Sequence, residues 1–202
     1  FHAGTWTNFV FSNYLFWDGA QDLALRHEKR RKFPEGNVGP RLARGNLFLT
    51  SSVIVPRATV EQVGGFDPAF SIGEDWDYWL RLADRGLRAQ GVWEPLVRYR
   101  RWPGNVTRHK LRTAELNVAV LDKNLHRSRR PELRRAFRRA LARARGVLEL
   151  ARTQPFLDQA PGTVAEGVWG AWRHHPPRVK WLLWYLALVW PTALGGRKTS
   201  EF

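Results

Sequence analysis

The sequence predicts an α/β fold over residues 1–107 followed by an α-helical extension over residues 108–202. Three observations carry this expectation. Short apolar segments bounded by Gly, Pro, Asn or Asp recur in the first half, and an amphipathic helical pattern lies between two of them. Beyond residue 108, apolar residues step by three and four with few breaks. With 202 residues and 44% hydrophobic content, the chain is long enough to bury one sizeable core or two modest ones.

Taken in order, Phe9 to Trp17 is apolar and aromatic and runs into Asp18-Gly19, a turn signal, so it reads as a strand entering a hairpin. Arg26 to Asn37 is charged and ends in Pro34, Gly36 and Asn37, which predicts a surface loop. Phe48 to Val55, bounded by Gly45-Asn46 and Pro56, predicts a buried strand. Trp76, Trp79, Leu80 and Ala83 fall at i, i+3, i+4 and i+7, while Asp77, Arg81, Asp84 and Arg85 fall on the other side. Residues 75–85 are therefore an amphipathic helix, with Gly86 as its stop. Residues 88–101 supply two extended pieces around Glu94-Pro95. Two helices follow, one striped by Leu111, Ala114, Val118, Leu121 and Leu125, the other running from Pro131 with Leu133, Ala136 or Phe137, Ala140, Ala144, Val147 or Leu148 and Ala151 inward.

The chemistry concentrates where Gly64-Gly65-Phe66-Asp67-Pro68 precedes Glu74-Asp75-Trp76-Asp77. A helix N-terminus carries partial positive charge and unpaired N–H groups, so Glu74 and Asp75 are held ionised and fixed in direction there. A fixed, ionised carboxylate is what a general base requires. The same residues serve equally well as a plain helix cap, with Asp77 and Arg81 as an i, i+4 ion pair. Gly64 and Gly65 either let a substrate approach the backbone closely or simply stop a helix and turn the chain. Trp76 suits a core position, and beside the base it can also stack on a ligand.

The run from about Gly45 to Thr107 resembles the second half of the catalytic domain of family-2 glycosyltransferases with the GT-A fold. The pieces that carry the resemblance are Leu47 to Val55, Arg57 to Gln62, Val63 to Asp67, Glu74 to Asp77, and Arg81-Leu82, in the family's order and spacing. The resemblance implies that Asp75 is the catalytic base that deprotonates an acceptor hydroxyl, with Glu74 positioning the acceptor or Asp75, and that Gly64, Gly65, Trp76, Asp77 and Arg81 lie on the substrate-binding side. It implies a nucleotide-sugar donor, a glycan or lipid-linked acceptor of the kind used in building cell-envelope glycans, and a divalent metal, Mg or Mn. No Asp-x-Asp pair lies ahead of the Gly-Gly turn, and the chain starts with Phe and contains no Met. The donor half and the main metal ligands are therefore expected outside these residues, which read as the acceptor-side fragment of a longer enzyme. The chain departs from the family at Tyr99-Arg100-Arg101-Trp102, where Trp102 stands in place of the usual histidine. Metal ligation from that segment is in doubt, whereas Arg100 or Arg101 can neutralise a leaving diphosphate through paired N–H donors; a solvent-exposed basic strand end is the plainer alternative.

Composition excludes some classes and leaves others open. With no Cys, disulfides, thiol nucleophiles and thiolate metal sites are ruled out. Thirty-three basic against 18 acidic residues give a net charge of +15, which favours anionic partners. The arginines of the second long helix are not interleaved with aromatics except Phe137, which argues against single-strand nucleic-acid binding, and no nucleic acid is expected as a partner. Trp181 to Trp190 is apolar and Trp-rich, is preceded by Arg173, Arg178 and Lys180, and is too short for the roughly 20 residues that cross a bilayer. Residues 178–190 suit the head-group region of an anionic membrane, and equally suit packing on protein. The location expected is cytoplasmic, peripheral on the inner face of the cell membrane. Two other classes compete with the transferase: a basic nucleic-acid-binding protein and a non-catalytic membrane-docking module in which the Glu-Asp pair is merely a cap.

Overall fold

The structure is a computed structural model that describes residues 8–102, 109–153, 166, 169, 170, 173 and 174. It is a mixed α/β arrangement built on one long strand, β1 (Asn8–Trp17). β1 pairs along its whole length, in parallel, with β4 (Arg88–Arg100). Its other edge is shared by two short antiparallel strands, β2 (Asp22–Leu25) and β3 (Val53–Ile54). The Asp18-Gly19 hairpin forms as expected, with the Asp18 carboxylate accepting from the backbone N–H groups of Ala20 and Gln21, both at 2.8 Å. The two pieces expected around Glu94-Pro95 are one strand with an irregularity there: Ser12 faces Val92, the next residue Asn13 faces Pro95, and Tyr14 faces Val97. A proline lacks the ladder donor, so the strand bulges past it and resumes.

The buried strand expected over Phe48–Val55 shrinks to Val53–Ile54, preceded by a 3-10 turn over Thr50–Ser52. The Ser52 hydroxyl donates to the Leu49 carbonyl at 2.8 Å, a local bond that competes with strand extension. Phe48 stays in the core, but Ile54 is exposed. The Arg26–Asn37 segment is only partly a surface loop. Phe33 packs on Phe11 and Trp93, and Gly36 exchanges backbone bonds with Ala89.

Four helices complete the layer against the sheet: α1 (Gly39–Leu42), α3 (Glu74–Asp84), α4 (Lys110–Arg127) and α5 (Pro131–Thr153), with α2 (Arg57–Val63) leading into the Gly-Gly turn. Phe9, Phe11, Phe48, Trp79, Leu80 and Leu82 share one apolar cluster with Leu116, Val120, Leu121, Leu133 and Phe137. The compositional change at residue 108 thus marks a shift to helical structure, not a gap between cores. Of the alternatives Val147 or Leu148, Leu148 is the buried one; Leu111, assigned to the packing stripe of the first long helix, is exposed, while Leu116, Val120 and Leu141 are also buried. Residues 178–190 lie outside the described residues, and among the described residues no helix is long and apolar enough to cross a membrane.

The register shift at Asn13 is held by side-chain bonds. Asn13 is fully buried; its Oδ1 accepts from the N–H groups of Tyr14 and His27, and its Nδ2 donates to the His27 carbonyl at 3.0 Å. The His27 ring stacks edge-on to Phe33, and its Nε2 is buried with no hydrogen-bond partner. Burial, aided by the Arg26 charge, lowers the His27 pKa below its ordinary value. The folded state therefore disfavours the proton that the unfolded state accepts near pH 6.5. His27's share of stability is complete above that pH and is lost as pH falls towards the depressed folded value. We expect the urea midpoint to drop between about pH 7.5 and pH 5.5, and His27→Phe to remove that drop; an unchanged pH profile in the variant would show that His27 is not its source.

Candidate functional site

Asp75 enters the site because α3 begins just ahead of it. Gly73, the residue before the helix, has φ +82°, a left-handed conformation that a side chain at Cβ disfavours. This turn points the first carboxylates of α3 back toward the loop after α1. Asp75 Oδ2 accepts from Asn46 Nδ2 at 2.9 Å and from Thr50 Oγ1 at 3.0 Å, while Oδ1 accepts from the Trp76 backbone N–H. Asn46 is itself fixed, its Oδ1 accepting from the Phe48 N–H at 3.1 Å. Asn46 and Thr50 are positioning residues that the sequence reading missed. The signal for them was present: polar Asn and Thr interrupting an apolar run that faces an acidic helix start.

Asp75 lines a cavity of about 890 Å³. One wall is aromatic, with Tyr14, Phe16 and Tyr99 from the paired strands β1 and β4, then Trp102. Tyr14 and Phe16 meet edge-to-face at 5.4 Å, and Phe16 and Tyr99 at 5.9 Å. Burial raises the Tyr14 hydroxyl above the ordinary tyrosine pKa, so it is a donor at neutral pH. The opposite wall comes from α4 and α5, through Thr113, Asn117, Ala140, Arg143 and Ala144. Arg44 and Arg101 line the cavity as well, with Arg101 lying over the Phe16 ring at 4.4 Å. Asp75 is the one carboxylate among the lining residues.

Trp76 and Arg101 are thus brought to the cavity with Asp75, Trp76 mainly as core, with its Nε1 donating to the Leu42 carbonyl at 2.7 Å. Glu74 is half-buried beside the cavity but does not line it. Arg100 lies over the Trp17 ring at 5.5 Å, one strand position away and on the other face of the sheet from Arg101.

Four residues expected to bind substrate belong elsewhere. Asp77 is 0% exposed; its carboxylate takes Arg81 Nε at 2.9 Å, Lys123 Nζ at 2.9 Å and Asn124 Nδ2 at 2.8 Å. Arg81 is buried too and donates onward to the carbonyls of Val63 and Gly65. The Gly64-Gly65 turn, with Gly64 at φ +84°, is therefore strapped to α3 by Arg81 and is apart from the cavity. The reason is geometric: residues two apart on a helix point to different sides, so Asp75 and Asp77 cannot face one ligand. Lys123 also bonds Asp67 at 2.8 Å, and this cation holds the Asp67 carboxyl below its ordinary pKa. The face of α3 that looked solvent-exposed in the pattern is covered by α4.

The same geometry tests the implied metal. Asp75-Trp76-Asp77 has the spacing of a metal-binding pair, but every Asp77 oxygen is engaged by Arg81, Lys123 or Asn124. Among the described residues no group of three His, Asp or Glu side chains gathers to hold an ion. The described residues do not fit a divalent cation. Comparison with protein-family models, with curated proteins and with solved structures gives no match to this chain.

Proposed function

We propose that this chain is the acceptor-side part of an inverting nucleotide-sugar glycosyltransferase with the GT-A fold, in which Asp75 is the general base. The observation that carries the reading is the setting of Asp75: a carboxylate oriented by Asn46 and Thr50 at a helix start, opening on a cavity of about 890 Å³ with aromatic and cationic walls. Aromatic faces suit the apolar faces of sugar rings, and a cavity of this size suits a ligand of one or two rings. In the reaction Asp75 takes the proton of an acceptor hydroxyl while that oxygen bonds to the anomeric carbon of the donor. The bond from that carbon to the diphosphate oxygen breaks, and its electron pair leaves with the nucleoside diphosphate. One displacement inverts the anomeric centre. Arg101 offers N–H donors to the leaving phosphate, and no step is routed through a metal here.

Transfer needs a donor held in line, so the 202 residues alone are expected to give no product above a boiled control from a panel of nucleotide-sugars. A longer polypeptide that supplies a donor-binding half is expected to transfer sugar with inverted configuration, read by proton NMR of the anomeric signal. Retained configuration, or turnover by the 202 residues alone, would overturn the proposal.

A further inference from the structure

The cavity carries more positive charge than a neutral acceptor needs. Besides Arg101, already assigned to the leaving phosphate, Arg44 and Arg143 line it together with a single carboxylate, Asp75, and none of the three arginines has an ion-pair partner among the described residues. Asp75 is already committed to Asn46 and Thr50. Elsewhere in this molecule arginines near carboxylates pair with them, as Arg57, Arg81, Arg98, Arg130 and Arg152 do. Thr113 lines the cavity as well, and its buried hydroxyl has no hydrogen-bond partner. Two guanidinium groups beyond the one used by the donor are the kind of donor set that grips phosphoryl oxygens.

We propose that the cavity binds a phosphate-bearing sugar in preference to a neutral one, with Arg143 of α5 as a phosphate anchor. The assignment rests on the transferase reading only for its role: whatever touches Asp75 is the acceptor, so the phosphate is carried by the acceptor. It makes the α-helical extension part of the site, since Arg143 comes from the second long helix.

The test is a titration of the 202-residue protein with a sugar 1-phosphate, with the same sugar phosphate carried on a short polyprenyl chain in neutral detergent micelles, and with the uncharged methyl glycoside. The sugar phosphate is expected to bind about tenfold or more tighter than the glycoside, the preference shrinking as salt is raised. Arg143→Gln is expected to remove most of that preference, with Arg143→Lys restoring part of it and thermal unfolding unchanged in both. Tight binding of the soluble phosphate identifies a water-soluble acceptor, and tighter, Arg143-dependent binding of the polyprenyl form identifies a lipid-borne one. Equal binding of phosphate and glycoside, or a preference that survives Arg143→Gln and Arg44→Gln together, would overturn the proposal. Sugar transfer to neutral acceptors with no phosphate preference would overturn it too while leaving the transferase reading in place; phosphate preference with no transfer by the longer polypeptide would overturn the transferase reading alone.

Discussion

Asp75→Asn is expected to lower turnover by about 10²-fold or more in a polypeptide competent for transfer, because an amide cannot accept the acceptor's proton at neutral pH. The fold should scarcely notice. With its oxygen at the Oδ2 position the Asn still accepts from both Asn46 and Thr50, and only the Oδ1 bond from the Trp76 N–H at the helix start is lost. Asn at a helix start is about as favourable as Asp, leaving roughly 1 kcal/mol or less of lost dipole interaction. Donor affinity measured separately should stay near the parent value. Turnover within a few-fold of the parent would sink the general-base assignment and leave Asp75 as a cap.

Asp77→Ala is expected to do the reverse. It removes the carboxylate shared by Arg81 and Lys123, leaving buried Arg81 with no counter-charge and only the Val63 and Gly65 carbonyls, Lys123 with Asp67 alone, and Asn124 with only the Val120 carbonyl. Removing one partner of a buried charge cluster typically costs about 3–5 kcal/mol, a large share of the stability of a domain this size. Asp77→Asn should fall between the two, keeping an acceptor oxygen for one donor but no charge for either cation. Urea unfolding with an unchanged slope would read these losses as stability. If Asp77→Ala unfolds within about 1 kcal/mol of the parent, the cluster is not what holds α4 on α3.

The contrast between these neighbouring carboxylates shows where the sequence is legible. Helix α3 was readable almost to the residue, because Trp76, Trp79, Leu80 and Ala83 repeat at its period and Gly86 follows. Asp75 at its first turn, and the hairpin at Asp18-Gly19, follow from the same local rules. The Asp77–Arg81 ion pair followed from its i, i+4 spacing, but its burial did not, because a periodic pattern assigns charge to solvent, whereas Lys123 and Asn124 arrive from α4 to meet Asp77. No local rule sees a partner that distant. The same limit hid Arg143: in a helix dense with arginine, only the docking of α5 selects the one that meets the cavity. Phe48–Val55 failed for a smaller reason, a serine bond to its own backbone that cut the strand short.

That the cavity is walled by β1 at one end of the described chain and by α5 at the other has a kinetic consequence. The α4–α5 hairpin makes mostly local contacts and can form early, as can the β1–β2 turn. The space between them exists only after the intervening chain has closed, the entropically most demanding step in assembling the fold. Opening that closure exposes Leu121 and Ala140 along with the site, so amides that seal it should exchange with solvent through near-global unfolding. A ligand seated in the cavity would therefore bridge segments that only the closed chain brings together, and its clearest signature would be a slower rate of unfolding.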